Sequence, residues 1–266
     1  MRPRYPMFSF LTHRKAQYLF LSAILLVAAC KRHAHVTEVN VSAVELNPKS
    51  SQHDSATHVI IGPYKMKLDA EMNAVVARTD AAMPKEKDKV ETLLGNFVAD
   101  VVLDKARAND PQRATAQVDM CLLNNGGLRS SLPKGNVTRG DIFSLMPFDN
   151  EIVIVTITGA KMEELLKFLA ASGGLPAAGI KMGIRADRTP GKVFINGKPL
   201  ELSRNYRIAT SDYLSAGGDK MAFFSSPVKI ESTALKIRDA LLEHCREKTA
   251  NNQSIGSPLD GRLYYE

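Results

Sequence analysis

The chain has 266 residues, of which 44% are hydrophobic and 24% are charged, with 17 glycines and 13 prolines. A chain of this length and composition can bury one sizeable core, which excludes a low-complexity protein. The formal net charge of +7 would suit a nucleic-acid binder, but four of the 35 basic residues lie in a leader without acidic residues. The remaining 31 exceed the 28 acidic residues by only three, so the charge gives no argument for binding DNA or RNA.

The first 29 residues have the pattern of a lipoprotein signal peptide. A basic stretch at 2–15 precedes an apolar run at 18–29, which is shorter than the ~20 apolar residues of a membrane-spanning helix. The run ends in the letters LVAAC, which resemble the bacterial lipobox, with Cys30 as the acylated first residue of the mature protein. An ordinary cleaved signal with an incidental cysteine is the alternative. Lys31 and Arg32 follow without an acidic run, which favours a lipoprotein on the periplasmic face of a bacterial cell envelope.

Residues 30–57 are predicted to form a polar tether, because they are rich in Ser, Asn and His and lack helical periodicity. His33 and His35 could bind a metal, but no nearby Cys, Asp or Glu completes a set with catalytic spacing. Solvated histidines are therefore preferred, and no metal-binding residue is assigned. A single domain is predicted to span residues 58–266.

Within this domain the pattern alternates between strands and helices. Apolar runs predict strands at 120–123, 151–158, 179–184 and 207–214. Apolar residues at helical spacing predict helices at 93–106, from 159 onwards, and at 234–245. Asn196-Gly197 is a strong hairpin signal. Because strands and helices are mixed without strict alternation, we expect an α+β fold with helices outside the sheets.

One strand leads into a loop suited to a ligand. The predicted strand at 120–123 continues into Asn124-Asn125-Gly126-Gly127 and then Arg129. Glycine pairs let a ligand approach the backbone closely, the amides offer donors and acceptors, and Arg129 offers a fork of donors for an anion. A tight turn with a surface arginine would explain this segment equally well if it stood alone.

Two later segments add aromatic rings and a carboxylate. Phe148 lies in the segment MPFDN, and Tyr213 precedes Asp219 in the segment SDYLSAGGD. Aromatic faces stack a base at ~1–3 kcal/mol each, and a carboxylate accepts hydrogen bonds from ribose hydroxyls. Core packing is the alternative for both rings; it is improbable for Phe148, between Pro147 and Asp149, and about as good as the binding interpretation for Tyr213.

These segments together carry a resemblance to a known family. The order N-x-G-G-L-R, P-F-x-N and Y-L-x-x-G-G-D resembles the C-terminal, substrate-binding domain of the 5'-nucleotidases and UDP-sugar hydrolases, from about residue 63 to the end. Supporting blocks lie at 94–100, 206–210 and 260–262. The resemblance implies a layered α/β/β/α domain and a ligand that is a nucleoside, nucleotide or nucleotide sugar.

The resemblance also implies roles for individual residues. Phe148 and Tyr213 would sandwich the base, and Gly179 would flank it. Asn124 would reach the base or ribose, Arg129 the phosphate and Asp219 the ribose hydroxyls. The predicted substrate-binding set is completed by residues that shape the loops, namely Gly126, Gly127, Asn150, Gly217 and Gly218. No catalytic residue is assigned.

The chain departs from the family's pattern at one position, and it lacks the family's metal-binding blocks. Asp88, between Lys87 and Lys89, stands where the family places a phosphate-facing arginine, so bidentate phosphate binding is lost and a nucleoside ligand becomes possible. The family's metal-binding blocks D-x-H, G-N-H and G-H-x-H have no counterpart here.

We therefore expect the chain to act as the substrate-recognition half of a split 5'-nucleotidase, inactive alone. A partner metallophosphatase chain would hold the divalent metals, and this chain would contribute no cofactor. The alternative is a stand-alone nucleoside- or nucleotide-binding lipoprotein without enzymatic activity. Cys121 and Cys245 are expected to be two separate buried thiols.

Overall fold

The structure is a computed structural model that describes residues 39, 41, 43 and 55–266. The predicted signal peptide, Cys30 and nearly all of the predicted tether lie outside the described residues. Residues 39, 41 and 43 are exposed and have no regular secondary structure. Ser55–Glu266 forms a compact unit, separate from the preceding residues. This unit begins slightly before the predicted boundary at 58, because a helix already begins at Ser55.

The described unit contains six helices and eleven strands. The helices are α1 (Ser55–Met72), α2 (Leu93–Ala108), α3 (Arg139–Leu145), α4 (Gly159–Ala171), α5 (Asp212–Ser215) and α6 (Ile237–Ala250). The strands are β1 (Val75–Thr79), β2 (Met120–Leu122), β3 (Gly135–Thr138), β4 (Glu151–Ile157), β5 (Ala177–Ala178), β6 (Ile180–Ile184), β7 (Pro190–Ile195), β8 (Lys198–Pro199), β9 (Tyr206–Ser211), β10 (Lys229–Lys236) and β11 (Leu263–Tyr265). Two single 3₁₀ turns follow α5, at Gly218–Lys220 and Ala222–Phe224.

A five-stranded sheet at the centre has the order β10-β4-β9-β2-β5. Strands β2 and β9 are parallel, with Cys121 opposite Ala209, whereas β4 and β9 are antiparallel, with Ile152 opposite Ser211. The ends of β2 and β9 therefore lie at the same end of the sheet as the start of β4. The loops after β2 and β9 and the loop before β4 carry the three predicted ligand segments, so the sheet brings these segments together.

A second sheet, of four strands, has the order β11-β6-β7-β8, and β1 pairs with β3 in a two-stranded sheet. Only Gly179 separates β5 of the first sheet from β6 of the second. Its φ is +74°, and a Cβ there would lie 2.5 Å from the carbonyl oxygen of Asp119. Glycine is therefore required where the chain passes from one sheet to the other.

The predicted helix at 93–106 is confirmed as α2. Thr92 begins it as the N-cap, its side chain accepting a hydrogen bond from Gly95 N at 3.0 Å. Phe97 and Val101 are among the apolar side chains that the helix buries, and it packs against β2, β4, β5 and β9. Helices packed on sheets of mixed direction confirm the predicted α+β fold class.

Two element boundaries and one whole helix differ from what the sequence pattern predicts. The predicted strand at 207–214 ends at Ser211, whose side chain accepts from Leu214 N at 3.1 Å and begins the short helix α5. The predicted C-terminal helix begins at Ile237, and Ala234 lies in β10 with a φ of +55°. The pattern does not predict α1, because Gly62 and Pro63 interrupt it; Pro63 lies inside this helix, which buries none of its side chains.

Both cysteines in the domain are free and buried, as predicted. Burial raises the pKa of the Cys121 thiol well above its usual range and that of Cys245 to about 12. Both thiols are therefore protonated and unreactive while the domain is folded. Among the helices of the described residues, none combines the length and apolar character that crossing a membrane requires.

Candidate functional site

Three loops meet at the end of the five-stranded sheet where β2 and β9 end and β4 begins. They enclose a cleft of about 370 Å³, which we call the ring cleft. Eight residues line it, and all eight belong to the predicted substrate-binding set: Asn124, Gly126, Gly127, Arg129, Phe148, Asn150, Tyr213 and Asp219. Residues far apart in the sequence thus form one concave site with aromatic, amide, cationic and anionic side chains.

Asp219 links the loops that follow β2 and β9. Its Oδ2 accepts a hydrogen bond from Asn124 Nδ2 at 2.5 Å, and its Oδ1 accepts one from the Tyr213 hydroxyl at 3.0 Å. Asp219 has left-handed backbone angles, with φ +50° and ψ +32°, directly after the Gly-Gly pair. Each carboxylate oxygen keeps a further lone pair, so Asp219 can still accept from the hydroxyls of a ligand.

Neither aromatic ring belongs to the hydrophobic core. Phe148 is 41% exposed and Tyr213 is 49% exposed, so the core-packing alternative does not hold for either ring. Gly217 and Gly218 do not line the ring cleft, but they shape the loop next to Tyr213. A Cβ on Gly218 would lie 2.5 Å from Tyr213 Cε1, which means that the ring can adopt its position only beside a glycine.

Arg129 lies at the face of the Phe148 ring. Its Cζ is 5.8 Å from the ring centroid, and its Nη1 donates a hydrogen bond to the carbonyl oxygen of Gly126 at 3.3 Å. The backbone N of Arg129 donates to Leu145 O at 2.8 Å, which fixes the base of the side chain. Within residues 55–266 no carboxylate forms an ion pair with this guanidinium, so its charge is available to an anion.

A second cleft, of about 320 Å³, shares Gly126 with the ring cleft. Lys85, Lys87, Asp88 and Asn125 are among the residues that line it. Asp88, which stands in place of the family's arginine, has a φ of +58°. Glu86 also lines this cleft, so its two lysines are balanced by two carboxylates, and neither lysine offers the planar fork of an arginine.

Gly179 is the one predicted site residue that the structure keeps away from the other ten. It lies between the two sheets and lines a separate groove beside α2, together with Phe97 and His244. Its positive φ and its close approach to Asp119 account for the glycine. The resemblance suggested a role beside the base, and the geometry of the described residues does not support that role.

One residue that contacts the site was not predicted from the sequence. Arg238, on α6, donates a hydrogen bond to Pro147 O at 3.1 Å and forms an ion pair with Asp149. Lys236 and Arg238 donate hydrogen bonds to the Asp149 carboxylate and thereby lower its pKa. Arg238 is separated from Phe148 by 90 residues, and no local pattern marks it. Only a covarying pair in an alignment could have revealed it.

The described domain offers no metal-binding cluster. In the part of the chain that the structure describes, no three His, Cys, Asp or Glu side chains come together in an arrangement that could hold a metal ion. Asp219, the carboxylate of the ring cleft, is hydrogen-bonded to Asn124 and Tyr213 instead. The groups that the ring cleft offers are two aromatic faces, hydrogen-bonding side chains and one guanidinium.

Comparison with known proteins identifies proteins whose sequences and folds are similar to those of this chain. A family model for the 5'-nucleotidase C-terminal domain matches residues 74–226. A trifunctional nucleotide phosphoesterase protein of Bacillus subtilis is 28% identical over 204 residues, which cover 70% of this chain and 14% of that protein. A 5'-nucleotidase of Vibrio parahaemolyticus is 29% identical over 174 residues, which cover 62% of this chain and 29% of the relative.

The fold is similar to that of a 5'-nucleotidase precursor from Thermus thermophilus, with a TM-score of 0.65, 22% identity, and coverage of 82% of this chain and 44% of that one. The chain thus spans less than a third of the two curated relatives and less than half of the solved structure. The family match covers more than half of the present chain and includes every residue that lines the ring cleft. The chain therefore belongs to the 5'-nucleotidase C-terminal domain family.

Proposed function

We propose that the ring cleft binds a nucleoside, nucleotide or nucleotide sugar, with the base against Phe148 and Tyr213. The observation that carries the proposal is the presence of two half-exposed rings, a free guanidinium and a hydrogen-bonded carboxylate in one cleft of about 370 Å³. Each ring offers a flat π face to a base, whatever the base is. The remaining groups match the polar parts of the same ligand.

The polar groups of the cleft would contact two different parts of the ligand, the sugar and the phosphate. Asp219 accepts from ribose hydroxyls through the lone pairs that Asn124 and Tyr213 leave open. Arg129, which has no carboxylate partner within residues 55–266, takes an anionic group near the Phe148 ring. Lys87 lines the neighbouring cleft with the carboxylates Glu86 and Asp88, so Arg129 is the main partner that a phosphate would find, and a second bidentate partner is lacking.

We further propose that this domain supplies substrate recognition, and that a partner metallophosphatase chain supplies hydrolysis. The two curated relatives are named as a nucleotide phosphoesterase and a 5'-nucleotidase and are much longer than the matched region. The metal-binding blocks expected of the family's catalytic domain do not occur in these 266 residues. Two-metal hydrolysis of a phosphate ester needs those ligands, whereas positioning the ester needs only the ring cleft.

Binding is tested by calorimetry with adenosine, AMP and UDP-glucose. Phe148→Ala should weaken affinity by about 10- to 100-fold, because a stacked ring is worth ~1–3 kcal/mol, and Asp219→Ala should weaken it by a similar factor, because hydrogen bonds to a charged carboxylate are worth about 1.5–3 kcal/mol. Tyr64→Ala is the matched control, since this ring is 76% exposed on α1, outside the cleft. If the wild type binds and both cleft variants bind equally well, the ligand lies elsewhere.

Recognition in trans is tested with AMP and Mn²⁺, Zn²⁺ or Mg²⁺. The purified chain alone should release no phosphate, and a metallophosphatase chain encoded beside it should turn over faster in its presence. Arg129→Ala should remove that gain while leaving both chains folded. Turnover by this chain alone would show a metal site that the proposal overlooks. If no metallophosphatase responds, the stand-alone binding protein becomes the better interpretation.

Membrane attachment through Cys30 is proposed from the sequence of the leader, which lies outside the described residues. A multi-acyl anchor would hold the protein firmly, since a single chain binds only marginally. Cys30→Ser should move the protein from the membrane fraction to the soluble fraction and abolish labelling with a radioactive fatty acid. An unlabelled wild type with a different first residue would exclude the lipoprotein.

A further inference from the structure

The loop that carries Phe148 is held from outside the ring cleft by one arginine of α6. Arg238 Nη1 donates hydrogen bonds to the carbonyl oxygens of Met146, Pro147 and Phe148, at 3.4, 3.1 and 3.5 Å. Its Nη2 donates to the carboxylate of Asp149. A single guanidinium thus contacts four successive residues, from two positions before the aromatic ring to the position after it.

Arg238 is itself firmly placed. Its side chain is only 12% exposed, and its Cζ lies 4.5 Å from the centroid of the Phe143 ring on α3. Lys236, at the start of α6, also contacts Asp149, with its Nζ 3.1 Å from Oδ2. The guanidinium is therefore sandwiched between a ring and a loop, and the helix, not the solvent, sets its position.

The loop has few other means of staying in place. The residues from Pro147 to Asn150 belong to no helix or strand. Phe148 is 41% exposed, so core packing does not fix its ring. Apart from Arg238, the loop is held by the ion pair of Lys236 with Asp149, by the hydrogen bond from Ile237 N to Asn150 O at 2.9 Å, and by the distant contact of Arg129 with the ring. Of these, only the contact with Arg129 reaches Phe148 itself, whereas Arg238 donates to the carbonyl groups of Phe148 and of the two residues before it. Without Arg238 the three carbonyl groups would turn to water and the ring would sample more orientations.

We infer that Arg238 is a positioning residue, which holds the Phe148 ring in the orientation that a base stacks against. The statement that a base stacks on this ring rests on the proposed function, whereas the positioning of the ring does not. Immobilising a free side chain on binding lowers affinity, and a pre-positioned ring avoids that loss. Releasing the ring should therefore weaken binding by about two- to tenfold, less than removing the ring altogether.

The binding test is a double-mutant cycle. Arg238→Met should weaken adenosine binding in the wild-type and Tyr213→Ala backgrounds and have little further effect in the Phe148→Ala background, where no ring remains to be positioned. Arg238→Lys keeps the charge near Asp149 but lacks the planar fork, so it should restore only part of the affinity. Arg246→Met, an exposed arginine on the same helix, is the control. An equal loss in all three backgrounds would overturn the inference.

A second measurement does not depend on any ligand. The chain contains no tryptophan, so Phe148→Trp creates a single fluorescent reporter at the ring position. Time-resolved anisotropy of this reporter should show more nanosecond motion when Arg238→Met is added, and no change with Arg246→Met. Circular dichroism would verify that the helices remain folded. Unchanged motion at position 148 would refute the positioning role even if the protein binds nucleosides as proposed.

Discussion

The two ends of the five-stranded sheet use charged residues in opposite ways. At the end that holds the ring cleft, Arg129 has no carboxylate partner in the described domain and two rings face the solvent. At the other end, which we call the ion-pair end, Arg207 is the second residue of β9, the strand that leads to Tyr213. Its side chain is 8% exposed and is paired with Asp110 and Glu231.

The ion-pair end shows why cavity size is a poor guide to a binding site. A cavity of about 650 Å³ lies there, larger than the ring cleft. Both arginines that line it already have partners: Arg207 Nη1 lies 2.5 Å from Asp110 Oδ2, and Arg204 Nη2 lies 2.9 Å from Asp119 Oδ1. Charges that neutralise one another stabilise the fold, whereas an unpaired charge beside exposed rings is available to a ligand.

The largest expected effect comes from breaking the ion-pair end. Arg207→Met leaves Asp110 and Glu231 buried without their cation, and the free energy of unfolding should fall by about 3–5 kcal/mol. Arg113→Met, at an exposed position, should change it by less than about 0.5 kcal/mol. Urea titration measures both. Ligand affinity of the folded Arg207→Met variant should be unchanged, and a selective loss of affinity would contradict the division between the two ends.

Acid should weaken the ion-pair end, because Asp110 then loses its charge. Burial alone would raise the pKa of Asp110, but its hydrogen bonds and proximity to Arg207 outweigh burial and lower the pKa below the ordinary value of 3.8. The stabilisation is therefore complete above that value and is lost as the pH falls through the lowered pKa.

The stability difference between wild type and Asp110→Asn should be largest at neutral pH, about 1.5–3 kcal/mol for a lost charged hydrogen bond. It should shrink once the pH falls below the ordinary value of 3.8. Asp104→Asn, an exposed position on α2, is the control and should differ little from wild type at any pH. A difference that stays constant down to pH 2 would mean that Asp110 acts through its shape and not its charge.

The smallest effect is expected at the ring cleft and concerns mainly affinity. Gly218→Ala places a methyl group 2.5 Å from Tyr213 Cε1, so the ring must move. The φ of Gly218 is not positive, so alanine can adopt its backbone angles, but the methyl group would also lie 2.7 Å from the carbonyl oxygen of Tyr213, so the loop backbone must shift slightly as well. Nucleoside affinity should fall about tenfold, which corresponds to ~1.4 kcal/mol.

Gly62→Ala, where a Cβ meets nothing within 4 Å, is the control and should leave affinity unchanged. Thermal unfolding of Gly62→Ala should stay close to wild type, and Gly218→Ala should show only the small loss of stability that a local shift of the loop causes. A large loss of stability in Gly218→Ala would show that the loop next to Tyr213 supports the fold as well as the site, and that the two ends are less distinct than their charges suggest.

Local patterns in the sequence were sufficient for most of the elements, and the resemblance to the family named the residues that line the ring cleft. The apolar spacing across 93–106 predicts α2 because a helix repeats every 3.6 residues, whatever it packs against. The Gly-Gly-Asp block predicts a loop that needs unusual backbone angles, and Asp219 has a φ of +50°. By contrast, α1 lacks both an apolar face and a clear start signal, and the same reasoning fails there.

Tertiary structure decided which residues meet. The sequence could name Asn124, Phe148 and Asp219, but the parallel pairing of β2 with β9 and the antiparallel pairing of β4 with β9 bring them to one end of the sheet. The sequence could not show that Gly179 connects the two sheets, because the need for a glycine there comes from the close approach of the Asp119 carbonyl group. Nor could it show Arg238, whose partners lie about 90 residues away. Hydrogen bonds over such separations depend on how the elements pack, and packing is not encoded in any local pattern.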